Sequence, residues 1–131
     1  MAGKIALDSG ALIALSRGNE NARALLERWT RAGVETVLPC PGLAETLRGK
    51  PSDAVMHWII NSRISAITVL PVTEDAACDA GERIGRTARK NVTVDAMIVA
   101  VAIAYGAREI ITSDPADIGP LGGTDFSVIA L

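Results

Sequence analysis

Residues Ala96 to Tyr105 form an unbroken apolar run, entered through Val94 and the single acid Asp95. Nothing else in the chain restricts the fold as strongly. A helix that is apolar on every side has no face for water and belongs in the middle of a domain. The run is also far shorter than the roughly 20 residues a bilayer span needs. It therefore reads as a buried helix starting after Val94 and closed by Gly106, with one carboxylate at its mouth. An unpaired carboxylate in such a place is costly, so it either takes up a proton or recruits a cation.

Around this helix the chain alternates short apolar stretches with helical ones. Lys4–Leu7, Thr36–Leu38, Ile67–Leu70, Glu109–Thr112 and Phe126–Ala130 read as strands, several of them β-branched. Helices are predicted at 11–15, at Asn19–Ala32 (Ala22, Leu25, Leu26 and Trp29 on one face), at Gly42–Arg48, at Ser52–Ser62, and from Thr73 to about Arg89. Ser113–Asp117 reads as a turn. This order implies an α/β fold, a single domain over 1–131 with a central parallel sheet of about five strands flanked by helices. In such sheets ligands bind at the carboxyl ends of the strands, and Asp8 and Asp114 each directly follow a strand.

Composition narrows the function classes. With 49% hydrophobic and 21% charged residues the chain is neither disordered nor membrane-embedded. The start, Met1 to Ile5, lacks the features of a secretory signal, and Cys40 and Cys78 make no paired-cysteine motif, so a reducing cytoplasm is expected. A net charge of −2 argues against coating nucleic acid by electrostatics alone. Four aromatics (Trp29, Trp58, Tyr105 and Phe126) are too few for a base-stacking platform. The lone histidine, His57, excludes two-histidine chemistry and reads as a helix-surface residue.

Four acids adjoin apolar segments: Asp8 after the first strand, Glu45 within Leu43–Leu47, Asp95 at the buried helix, and Asp114 after the fourth strand; Asp117 follows one turn later. Each has a plain structural reading. Asp8 can cap a helix, Asp114 can form a turn, Asp95 can sit at the positive end of its own helix, and Glu45 can be a solvated helix residue. If they converge on one crevice, however, their repulsion calls for a cation among them. Carboxylates without His or Cys suit Mg²⁺ or Mn²⁺, ions that hold phosphate oxygens and activate water for in-line displacement. The chemistry expected is phosphodiester hydrolysis.

The segments Ile5–Leu15, Leu43–Leu47, Val94–Ala100 and Ile110–Ile118 together resemble the PIN domain family, most closely the small VapC-type toxins of VapBC toxin–antitoxin pairs. The resemblance spans essentially the whole chain, in the family's order. It implies a metal-dependent endoribonuclease in which Asp8, Glu45, Asp95 and Asp114 are catalytic and bind the metal and Asp117 is an accessory acid. It also implies that the Thr112 hydroxyl orients a carboxylate or water. Gly10 departs from the family, where Ser, Thr or Asn is common beside the first Asp. The resemblance further implies a homodimer and a small VapB-like antitoxin whose extended tail blocks the groove. Arg17, Arg48, Lys50, Arg86, Arg89 and Lys90 lie near these motifs and are candidates to hold the RNA backbone, or simply cations on a solvated surface. The competing function is a catalytically inactive PIN-like protein-interaction module. A phospho-accepting receiver domain fits poorly, because no acid precedes Asp8 and no Lys follows Lys90; a haloacid-type phosphatase would need an acid where Gly10 stands.

Overall fold

The computed structural model describes residues 3–47, 57 and 67–131. Five strands, β1 (Lys4–Leu7), β2 (Glu35–Pro39), β3 (Ile67–Leu70), β4 (Glu109–Thr112) and β5 (Ser127–Ala130), form a sheet in the order β3-β2-β1-β4-β5. Every pairing is parallel. The helices among the described residues are α1 (Ser9–Ser16), α2 (Glu20–Arg31), α3 (Cys40–Thr46), α4 (Glu74–Gly85), α5 (Thr93–Ala104) and α6 (Pro115–Gly122). None of them is long and apolar enough to cross a membrane.

The edge strands β3 and β5 are half-buried or exposed along most of their length. The three central strands, β1, β2 and β4, are buried on both faces, which is why they read as continuous apolar runs. Their side chains nonetheless divide by the two-residue period of a strand. Ile5, Leu7, Leu38 and Ile111 pack with Leu12, Leu15 and Leu26 of α1 and α2 on one face. Ala6, Val37, Leu70 and Ile110 pack on the other with Ala76 and Ala80 of α4 and with the interior of α5. The apolar run is the centre of that second layer: Ala96, Ile98, Val99, Ala100, Val101 and Ala102 are all buried. Met97 and Ile103 are half-buried, and the carboxyl end reaches water, where Tyr105 is 38% exposed.

Strand order fixes where a ligand can sit. From β1 the chain moves to β2 on one side and later to β4 on the other, so the crevice between β1 and β4 is the point at which the winding reverses. Leu7 is in register with Ile111, and the Asp8 N–H donates to the Ile111 carbonyl at 3.2 Å. Asp8 and Thr112 are thereby brought side by side at the carboxyl edge.

The helix expected from Thr73 to about Arg89 ends at Gly85. Beyond it the Thr87 hydroxyl accepts the Arg89 N–H at 3.2 Å, a local bond that competes with helix continuation. Asn91 then turns the chain at φ 61°, a left-handed conformation asparagine tolerates. Arg86, Arg89 and Lys90 thus lie past the last helical turn rather than in it. The turn expected at Ser113–Asp117 is instead the entry to α6, with Asp114 at the cap position and Pro115 in the first turn. Gly119, Pro120 and Gly122 inside α6 conceal it, since all three weigh against a helix. α3 starts at Cys40 and ends at Thr46, earlier than expected at both ends. The helix expected at Ser52–Ser62, and with it Arg48 and Lys50, lies outside the described residues; His57 alone is described there, helical and exposed.

Candidate functional site

The two acids that follow strands differ in how their side chains are engaged. Asp8 is 4% exposed, and its Oδ1 accepts the Ala11 N–H at 2.8 Å, capping α1. The plain reading of Asp8 as a cap is therefore correct, but it accounts for only part of the carboxylate. The Thr112 hydroxyl also donates to Asp8 and accepts the Asp114 N–H at 2.8 Å. Thr112 is fully buried, so one side chain joins the first and fourth acids. Asp114 occupies the cap position of α6 without using its side chain to cap.

Glu45 reaches the same edge through close helix packing. A Cβ built at Gly42 would meet Ser9 Oγ at 3.5 Å and Ile98 Cδ1 at 3.4 Å, so this glycine leaves α3 close to α1 and α5. One turn on, the Ser9 hydroxyl donates to Glu45 Oε1. Ser9 is a residue that sequence reasoning missed; 36 positions separate it from Glu45, and no pattern in the chain pairs them. Asp95 lies in the first turn of α5, whose cap residue Val92 supplies no side-chain acceptor. Asp117, in the first turn of α6, forms an ion pair with Arg89.

Electrostatics tie the five acids together. Burial pushes the Asp95 carboxyl up, and the charges of Glu45, Asp8, Asp117 and Asp114 push it further, to about 6. Burial also raises Asp8; its bonds from Thr112 and Ala11 oppose this, and Asp114 adds to it. α1, α5 and α6 each begin at one of these acids, and their positive ends offset the crowding only partly. Among the described residues, no three of the acids close into a ready-made ligand cage. An all-carboxylate set of this kind nevertheless fits Mg²⁺ or Mn²⁺, which are commonly held by one or two carboxylates together with water and substrate phosphates.

The cations are arranged unevenly. Arg89 is committed to Asp117, and Arg86, on an exposed face, is 3.4 Å from Glu82. Arg17 and Lys90 are exposed, with no ion-pair partner among the described residues. Arg48 is outside the described residues. The side chain of Arg17 borders a groove of about 380 Å³ with Gly10, Ile13, Ala14, Asn19 and Ser113.

A family model described as PIN domain matches residues 5–116. No curated protein matches the chain. Among solved structures, a DNA-bound VapBC from Salmonella typhimurium is similar with a TM-score of 0.71 at 19% identity, covering 99% of this chain and 98% of that one. A toxin–antitoxin complex from Klebsiella pneumoniae gives 0.70 at 20% identity, with 96% of each chain covered. VapC20 of Mycobacterium tuberculosis, described as a sarcin–ricin loop cleaving toxin, gives 0.65 at 22% identity, covering 88% of this chain and 93% of that one. At these identities the likeness carries the fold alone.

Proposed function

The chain belongs to the PIN domain family, and from that premise we propose that it is a toxin-type endoribonuclease. It hydrolyses RNA phosphodiester bonds with a divalent cation, Mg²⁺ or Mn²⁺, and is held in check by a VapB-like antitoxin. The observation that carries the reading is the charge around Asp95, whose carboxyl feels four other carboxylates at the carboxyl edge of the sheet. A scaffold has little use for Asp8, Asp95 and Asp114 close together with no ion pair among the described residues, whereas a cation site requires such a set. Structural neighbours described as toxin–antitoxin complexes support the antitoxin and toxin part of the reading.

Asp8, Glu45, Asp95 and Asp114 are the residues that would hold the cation, with Asp117 as an accessory acid. When bound, a divalent cation neutralises phosphate charge and makes water a stronger nucleophile. The chain's own contribution is positioning. Thr112 donates its hydroxyl proton to the Asp8 carboxylate and accepts the backbone N–H of Asp114, so it steadies the first acid and the start of the loop that carries the fourth. Ser9 fixes one oxygen of Glu45. The half-buried first turn of α5 presents Asp95 ahead of the helix's buried interior, which begins at Ala96. Such preorganisation is what places reacting groups without a further ordering cost. A homodimer and a cytoplasmic setting belong to the same proposal.

Purified protein should cleave RNA in Mg²⁺, lose that activity in EDTA, and regain it with Mn²⁺. Asp8→Asn and Asp95→Asn should each lower the rate by about 100-fold or more while circular dichroism stays that of the wild type. If both variants cleave at the wild-type rate, the cation mechanism is wrong. If the wild type binds RNA or a protein partner but never cleaves, the inactive interaction module is the better description.

A further inference from the structure

The groove bordered by Arg17 has a construction that the acid cluster does not explain. Its lining comes from α1 (Gly10, Ile13 and Ala14), from the loop into α2 (Arg17 and Asn19), and from the β4–α6 turn (Ser113). At one end lies Gly10, two residues after Asp8. A Cβ there would stand 2.0 Å from Ser113 Oγ, 3.1 Å from Ser113 Cβ and 3.4 Å from Asp8 Oδ1. The floor at this end is consequently bare backbone overlaid by one serine hydroxyl, open to solvent and next to the acids. The other end is cationic. The Arg17 guanidinium is exposed and has no ion-pair partner among the described residues, and Arg23 lies 3.7 Å from the Cβ position of Gly18 just beyond. Seven helical steps separate Gly10 from Arg17, about 10 Å at the usual rise.

These properties point to one kind of occupant. Between the ends, Ile13 and Ala14 give a small apolar wall, suited to the carbon face of a sugar. An anion is repelled where the groove meets Asp8 and Asp114 but attracted at Arg17. Arginine is the side chain best matched to a phosphate's paired oxygens. Arg86 and Arg89, by contrast, already have acid partners. We propose that this groove holds the ribose and far phosphate of the nucleotide next to the scissile bond, with Arg17 on that phosphate and Ser113 on the sugar. The proposal rests on the ribonuclease reading and adds to it the direction in which the RNA leaves the acids. It also assigns Ser113 and Arg17 as substrate-positioning residues.

The test uses the full chain and a short 5′-labelled RNA. Binding is measured by fluorescence anisotropy over a range of salt, in the Asp95→Asn background so that no cleavage occurs. Arg17→Gln should weaken binding about tenfold, as expected for one charge-assisted phosphate contact. It should also flatten the slope of log K against log salt by about 0.7, the value for one lost contact on a single strand. Ala14→Leu, which narrows the groove without changing charge, should weaken binding and leave the slope alone. Arg31→Gln, on α2 and paired with Glu27, should change neither. In the catalytically intact chain, Arg17→Gln and Ser113→Ala should raise KM for RNA. Arg31→Gln should change neither KM for RNA nor the hydrolysis of bis(p-nitrophenyl) phosphate, which has no flanking nucleotide. Wild-type protein that cleaves RNA, with Arg17→Gln and Ala14→Leu both binding as tightly as their parent, overturns the groove and leaves the ribonuclease reading standing. Wild-type protein that neither binds nor cleaves RNA removes both.

Discussion

Two acidic neighbourhoods of this molecule treat charge in opposite ways. On the far side of α4, Arg83 is 7% exposed and every nitrogen of its guanidinium is used. Nε donates to Asp79 at 2.9 Å, one Nη to the Leu121 carbonyl at 2.9 Å, and the other to Asp125 at 3.1 Å. Burial pulls this arginine's affinity for its proton down, but the bonds to Asp79 and Asp125 more than offset that and raise it. The group is closed, and it pins the end of α6 to α4. At the carboxyl edge of the sheet the ion pair among the described residues is Arg89–Asp117, leaving Asp8, Asp95 and Asp114 without a cation there. The two neighbourhoods contain the same side-chain chemistry. The balanced one is architecture; the unbalanced one is where the proposed function puts its cation.

This contrast breaks most visibly at Arg83. Replacing it by Leu leaves two carboxylates and a carbonyl without their donor, which should cost about 3 kcal/mol and lower the Tm by roughly 10 °C. RNA cleavage measured well below the new Tm should stay within about twofold of the wild type. Urea unfolding beside a cleavage assay checks both; a variant as stable as the wild type would mean the closed group is not architecture after all.

The open group should show the reverse sign. Asp95 has an ordinary value of 3.8 and is raised to about 6 in the fold, so between these values the folded chain binds more protons than the unfolded one. Its contribution is therefore fully favourable below pH 4 and is lost as pH rises through 6. In EDTA, wild-type stability should fall relative to Asp95→Asn by about 1.5 kcal/mol between pH 4.5 and 7, allowing for the partial exposure of the carboxyl. Millimolar Mg²⁺ should flatten that difference. Parallel pH curves for the two proteins, with and without Mg²⁺, would show that the acids do not crowd Asp95.

The smallest expected effect sharpens the comparison rather than breaking it. Thr112→Val keeps the shape but leaves the Asp114 N–H without its acceptor and removes one of the donors to Asp8, which keeps the Ala11 N–H. It should cost about 1 kcal/mol in stability and about tenfold in cleavage, while Thr112→Ser restores both. Loss of stability with unchanged cleavage would make Thr112 a core residue only.

The fold was readable because its strongest signals are local. The α5 run, the caps at Asp8, Asn19 and Thr73, and the strand–helix alternation all lie within a few residues of the structure they specify. The acids could be picked out because each adjoins an apolar segment, and the field at Asp95 agrees with their meeting. What stayed hidden depends on tertiary packing. α6 reads as a turn in the sequence because Gly119, Pro120 and Gly122 mask its helical character, and α4 reads as longer than it is because the bond at Thr87 leaves no periodic trace. The Ser9–Glu45 contact arises only when α3 is packed against α1. The candidate cations cannot be told apart in the sequence, since only the fold shows Arg89 engaged and Arg17 without an ion-pair partner among the described residues.

Positions 10 and 113 share a single vacancy. The hydroxyl that fills it comes from the β4 side, and a side chain arriving from the α1 side can enter only if that hydroxyl swings out. The two sites should therefore trade residues as a pair. A serine installed at 10 should be tolerated far better once 113 is reduced to glycine, even though more than a hundred residues of chain lie between them.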